Sequence, residues 1–310
     1  MPIASPNKTQ DTGPPMWKKL ILSASLAAFG GFLLIWAVFP RSPITASTMA
    51  ALADPNLENG ARVFWAGGCA SCHAANGAKG EARLILAGGR AFETDFGTFY
   101  APNISSDATA GIGDWTMAQF LRAMQHGRGP NGLPLYPAFP YKAYRMADPQ
   151  DMADLYGYLQ SLPADPSLSR DHDLTFPFNI RPALFFWQAL YLEQGYAVTA
   201  PMSDEALRGR YLVEALAHCG ECHTSRGALG AVDHGAWLRG APNPSGQGRI
   251  PPLTPDELTW SKDEIAAYLN DGFTPSFDSA GGHMVDVIRN MAMLQPDDRA
   301  AIAQYLKELP

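Results

Sequence analysis

Cys69-Ala-Ser-Cys-His73 and Cys219-Gly-Glu-Cys-His223 repeat one pattern, C-x-x-C-H, and together they use every cysteine of the chain. Thiols at i and i+3 lie on one face of a helical turn. There they can add across the two vinyl groups of a haem, and the adjacent imidazole then meets the iron. The other uses of C-x-x-C fit poorly. A thioredoxin-like pair belongs beside a βαβ pattern, which neither neighbourhood shows. A four-cysteine zinc site would leave both histidines unexplained and would have to join two distant segments. The expectation is two covalently bound haem c groups, attached through Cys69, Cys72, Cys219 and Cys222, with His73 and His223 as iron ligands.

Three hundred and ten residues suffice for two compact domains of about a hundred residues each, an anchor and a connection. The formal net charge of −7 argues against nucleic acid and suggests partners with basic or mixed surfaces. Only 17% of residues are charged, so much of the fold is expected to be loops packed around something large and apolar, as haem is.

Residues 1–19 are polar and end on Lys18-Lys19. Residues 20–39 then contain no charge, and twenty helical residues span about 30 Å, the hydrocarbon thickness of a bilayer. A cleaved signal has a shorter apolar region, about 7–15 residues, and a small-residue cleavage site; here only a weak one lies between Ala46 and Ala50. An uncleaved transmembrane helix is expected, with Lys18 and Lys19 holding the N-terminus in the cytoplasm. Residues 40–56 read as a tether, and all that follows lies outside.

The first domain, 57–163, opens with a helix from Leu57 to Trp65 that runs into the first C-x-x-C-H. After a Gly-rich passage holding Pro102-Asn103-Ile104, a helix is expected from Asp114-Trp115 to Gly127, then a loop of prolines and aromatics. Asp148 and Pro149 suit the cap and first position of a last helix ending at Leu162. The second domain, 204–310, repeats the plan. Arg208 to Glu214 opens it, Pro251-Pro252-Leu253 stands for Pro102-Asn103-Ile104, Trp260 to Gly272 matches Trp115 to Gly127, and Ile302 to Pro310 echoes Leu155 to Pro163. Such repetition means two domains of one mainly α fold, each wrapped on its own haem. The connection between them, 164–203, is rich in aromatics and is expected to pack across both domains.

Methionine is the prime candidate for the remaining iron ligand, because a thioether opposite histidine raises the potential. Met117 and Met124 sit within a helix and read as core. Met146, in the loop before the last helix, is free to reach over the haem. In the second domain Met284, Met291 and Met293 compete.

The remaining histidines read more simply. His126 sits at a helix end, where the dipole favours it; His172, His218 and His234 read as surface residues and His283 as a neighbour of Met284. Gly111-Ile-Gly113 lacks the strand and third glycine of a nucleotide loop. No Ser-His-Asp or paired-carboxylate arrangement stands out, and no catalytic residue is assigned.

Ala101-Pro-Asn-Ile, Gly111-Ile-Gly-Asp-Trp115, Leu135-Tyr-Pro-Ala-Phe-Pro-Tyr141 and Arg208 to Glu214 leading to His218-Cys-Gly-Glu-Cys-His-Thr224 resemble the cytochrome c subunits of membrane-bound bacterial alcohol and gluconate dehydrogenases. The likeness covers residues 57–310. It implies two tandem class I-type cytochrome c domains behind the N-terminal transmembrane helix, with Met146 and Met284 as the distal ligands. It also implies that the carbonyls of Pro102 and Pro251 hold the second nitrogen of each proximal histidine. Those subunits usually carry three haem motifs where this chain has two, so their quinone-facing role transfers only in part. The expected function is a membrane-anchored relay of single electrons from a periplasmic dehydrogenase to the respiratory chain, with quinone, a soluble cytochrome or a terminal oxidase as acceptor. The expected location is the bacterial inner membrane, with the haem domains in the periplasm. Competing readings are a dihaem subunit of a terminal oxidase and a dihaem peroxidase or thiosulfate-oxidising enzyme, which needs an iron with an open position.

Overall fold

In a computed structural model, which describes residues 1, 20–23, 25, 26, 30, 44–192, 195–243 and 248–310, the chain from Leu57 onward builds the same helical plan twice. The first half contains α1 (Leu57–Ala66), α2 (Cys69–His73), a hairpin of β1 (Ala91–Thr94) and β2 (Gly97–Tyr100), α3 (Met117–His126) and α4 (Pro149–Ser161). The connection carries β3 (Asp173–Leu174) and α5 (Leu184–Tyr191). The second half contains α6 (Asp204–Arg210), α7 (Gly220–His223), β4 (Ala241–Pro242) paired with β5 (Arg249–Ile250), α8 (Lys262–Asp271), α9 (Met284–Met291) and α10 (Pro296–Lys307). Ile44–Pro310 forms one unit and Met1–Pro43 another. Most of the apolar run 20–39 expected to span a membrane lies outside the described residues. Among the described residues no helix is long and apolar enough to cross one.

The helix boundaries follow the polar side chains that satisfy their free ends. Thr116 and Gln119 form a capping box at the start of α3, and Ser261 and Glu264 do the same for α8. Both helices therefore begin just after the tryptophans that mark them in the sequence. Each ends on a left-handed glycine, Gly127 or Gly272. Asp148 accepts from the Gln150 backbone N–H at 2.7 Å and starts α4 with Pro149 in its first turn.

In each half the opening helix crosses the closing helix at a glycine. A Cβ on Gly60 would lie 2.2 Å from the Asp154 carbonyl oxygen, and one on Gly209 would lie 1.9 Å from that of Ala301. Only glycine permits such an approach of two backbones. Gly60 lies nine positions before Cys69, whereas Gly209 lies ten before Cys219. The extra residue is absorbed in a π-helical turn, Tyr211–Leu216, which continues α6. The segment from Arg208 to Glu214 is thus not one α-helix, and α6 begins earlier, where Ser203 accepts from the Ala206 N–H.

The two halves meet through reciprocal pairs. Arg62 on α1 bonds Asp298 on α10 at 3.1 Å. Tyr211, which holds in the second half the place of Arg62, donates to Asp151 on α4, the equivalent of Asp298, at 2.5 Å. Residue i meeting j while j′ meets i′ is the signature of a two-fold relation. Buried apolar side chains from both halves join in one large cluster, from Val63 and Phe64 to Leu306 and Leu309, and Tyr141, Trp187, Leu192 and Ala231 form a second.

The connection packs on both halves. Asn103 Nδ2 donates to the carbonyls of Asp165 and Ser167, both at 2.8 Å, and Gln188 Nε2 donates to that of Gly127 at 3.0 Å. On the other side Trp187 Nε1 donates to the Leu229 carbonyl at 2.8 Å. The connection also supplies β3, which pairs antiparallel with β2 through Thr98 and Asp173. That small sheet has no counterpart in the sequence reading, because strands of four residues and two leave no alternation to detect.

Candidate functional site

Each C-x-x-C-H closes a single helical turn, in α2 and at the start of α7, so that its two cysteines lie on one side. Gly68 enters the first turn with a φ of 65°. Beyond each turn the chain returns and closes on it: the Gly88 N–H donates to the His73 carbonyl and the Gly240 N–H to that of His223, both at 2.8 Å.

The imidazoles are held from behind. His73 Nδ1 lies 2.8 Å from the Pro102 carbonyl oxygen, and His223 Nδ1 lies 2.8 Å from that of Pro251. A carbonyl can only accept, so the ring proton sits on Nδ1 and the Nε2 lone pair faces away from the backbone. Burial also pushes both imidazole pKa values down, against the smaller opposing effect of those bonds, and keeps the rings neutral. A neutral imidazole whose second nitrogen is fixed is the form that binds a metal.

The thiols lack the acidity of a redox pair. Burial pushes Cys69 and Cys219 up to about 12 and Cys72 up to about 11. Arg90 opposes the rise at Cys72, while Cys222 of the other half and Asp286 add to it. A reactive redox pair needs the opposite, a lowered thiol pKa. No disulfide joins any of the four cysteines. Among the described residues no three of His, Cys, Asp and Glu converge into a metal cage, so the four-cysteine zinc arrangement has no support here. The paired thiols, the neutral imidazole anchored through Nδ1 and the surrounding apolar side chains fit covalent haem c in both halves.

Comparison with known proteins agrees. The cytochrome c family profile matches residues 57–163 and 206–310. The chain belongs to the cytochrome c family. It is 53% identical over 303 residues to a dihaem cytochrome c-type protein of Cereibacter sphaeroides, covering 95% of this chain and 99% of that one. It is 37% identical over 295 residues to the fructose dehydrogenase cytochrome subunit of Gluconobacter japonicus, covering 92% of this chain and 59% of that one. It is 34% identical over 281 residues to the gluconate 2-dehydrogenase cytochrome c subunit of Pantoea cypripedii, covering 84% of this chain and 62% of that one. The cytochrome thus spans nearly the whole of the first relative and less than two thirds of the other two. It is a mainly helical protein of two tandem cytochrome c domains that carries two covalently bound haem c groups.

The methionines weighed as ligands differ in environment. Met124 and Met291 are buried in the core, and Met117 is packed against it. Met146, before α4, and Met284, the first residue of α9, are half-buried. Met293 is 51% exposed.

His218 is not the surface residue its sequence neighbourhood suggests. Its imidazole lies in the contact between the two halves, edge-on to the Tyr144 ring with centroids 5.8 Å apart and with Nε2 3.3 Å from the Gly67 carbonyl oxygen. The signal in the sequence is slight: His218 stands immediately before Cys219, where the first half has Gly68. His126 does close α3, and Arg145 Nη1 lies 2.9 Å from its Nδ1.

Proposed function

We propose that this cytochrome is the electron-transferring subunit of a dehydrogenase, taking single electrons from a periplasmic partner and passing them to the respiratory chain. The observation that carries this reading is the pair of C-x-x-C-H turns, each with its histidine Nδ1 on a proline carbonyl at 2.8 Å. When bound, haem c supplies a one-electron iron couple. The chain's own residues do the rest. Cys69 with Cys72, and Cys219 with Cys222, fix the porphyrin edge by thioether bonds. His73 and His223 would offer Nε2 to the iron, with Met146 and Met284 as the thioether ligands. Thioether ligation would favour the ferrous state and suit electron transfer rather than substrate binding.

A dehydrogenase as donor is supported by relatives named as cytochrome subunits of fructose, gluconate and alcohol dehydrogenases. The uncharged run 20–39 behind Lys18-Lys19 supports an inner-membrane anchor with the haem domains on the periplasmic side. Quinone, a soluble cytochrome or a terminal oxidase serves as acceptor.

Purification in mild detergent from the native host, with mass identification of what co-elutes, tests this function. A large flavin, quinoprotein or molybdenum dehydrogenase is the expected companion. A haem-copper oxidase subunit in its place would make the chain the electron-entry subunit of a terminal oxidase instead, and turnover of peroxide or thiosulfate by the isolated chain would overturn the relay.

A further inference from the structure

His218 combines two features that no other histidine among the described residues shares. Its backbone is left-handed, with a φ of 42°. Few residues other than glycine adopt that conformation, and a side chain there strains the backbone. The equivalent place in the first half is Gly68, at 65°, so the turn itself asks for glycine. The side chain that replaces it crosses into the other half. There His218 Nε2 meets the Gly67 carbonyl oxygen at 3.3 Å, beside the Tyr144 hydroxyl, which donates to the same oxygen at 3.0 Å. A carbonyl accepts, so Nε2 carries the proton.

The contact lies between the two haem attachment turns. Gly67 stands two residues before Cys69, and His218 one residue before Cys219. A second bridge continues along the same seam: Asn290 Nδ2, on α9, donates to Ser71 Oγ inside the first turn at 2.7 Å. Arg90 binds the Ser71 carbonyl and also Asp286 on α9, the latter at 3.0 Å. Electron exchange between two fixed centres falls off steeply with the gap between them, so whatever sets the separation of the two turns sets the rate.

We propose that His218 is a positioning residue for electron transfer between the two haems, clamping the second attachment turn to the carbonyl that leads into the first. The proposal rests on the relay function above. It explains why a residue other than glycine is kept at a left-handed position: the imidazole ties the halves together where glycine would only relieve the backbone. In the first turn the equivalent place is Gly68, and the contact across the seam is made instead by Ser71, which accepts from Asn290.

The test uses the full chain with both haems attached, confirmed by intact mass, and follows intramolecular electron equilibration after rapid photoreduction. In His218→Gly the second turn gains the residue that the first turn already uses, so the turn still folds and both haems attach. Equilibration is expected to slow about tenfold or more, equivalent to about 1.4 kcal/mol on the barrier, with both midpoint potentials and the methionine-ligand absorption band unchanged. His218→Gln, which keeps an N–H donor at similar reach, is expected to recover most of the rate. Wild-type equilibration in His218→Gly, or failure of His218→Gln to exceed it, would overturn the proposal. Loss of haem from the unaltered chain would instead strike at the relay function.

Discussion

Arg62 of the first half binds Asp298 of the second at 3.1 Å, while Tyr211, at the equivalent place in the second half, donates to Asp151 of the first at 2.5 Å. Asp298 is buried, and Arg208 also reaches it, at 2.9 Å. Asp298→Ala removes a charged acceptor from both arginines and is expected to cost about 2 kcal/mol, with Tyr211→Phe costing about 1–2 kcal/mol. Arg208 also lies over the Tyr211 ring, 5.6 Å from its centroid, so the two pairs are linked and the double variant should depart from the sum by about 0.5 kcal/mol or more. Urea unfolding followed by far-UV circular dichroism measures all three.

The glycine crossings make a sharper prediction. Gly60→Ala and Gly209→Ala each drive a methyl group into a backbone carbonyl on the closing helix, and overpacking of this kind costs about 1–3 kcal/mol. Equivalent alanines elsewhere on the exposed face of α1 should be neutral or slightly stabilising. Thermal unfolding of the matured protein distinguishes them.

Methionine ligation can be read spectroscopically. Met146→Leu and Met284→Leu are each expected to abolish half of the iron–methionine charge-transfer absorption and to lower one midpoint potential. Met293→Leu, at a position 51% exposed, should leave both unchanged. If Met293→Leu removes the band and Met284→Leu does not, the two assignments exchange.

Glu214 gives the stability of the second half a pH dependence. Its carboxylate accepts from the Tyr305 hydroxyl at 2.6 Å and from the backbone N–H groups of Ala197 and Val198. Burial nevertheless raises its pKa above the ordinary glutamate value, with those bonds opposing the rise. The folded protein therefore binds the proton more tightly than the unfolded chain does. Glu214 contributes stability below the ordinary glutamate pKa and loses it as pH rises through the elevated one. Glu214→Gln should remove that decline, which urea midpoints across the acid range would show as a flatter profile than the wild type.

The attachment turns were legible in the sequence because covalent chemistry fixes their spacing: Cys69, Cys72 and His73 have to share one turn, whatever surrounds them. The prolines behind the histidines followed from the resemblance, and the carbonyls of Pro102 and Pro251 do stand 2.8 Å from Nδ1. The repeat was legible as well, because the closing helices keep the same apolar pattern. The π turn at Tyr211–Leu216 was not, since one inserted residue leaves the hydrophobic pattern of Arg208 to Glu214 almost unchanged. Nor was the role of His218. Its meaning lies in the Gly67 carbonyl of the other half, and no local pattern encodes a contact made across 151 positions of chain. The pairing of β2 with β3 was hidden because strands of four residues and two show no alternation.

The central claim is that both irons do nothing except accept and release electrons. A stoichiometric reductive titration of the matured chain, followed in the visible absorption bands, tests it most directly. The account predicts two electron equivalents per chain, with both centres six-coordinate and low-spin in each state. Fewer than two equivalents, or a high-spin iron that binds added peroxide, would contradict it.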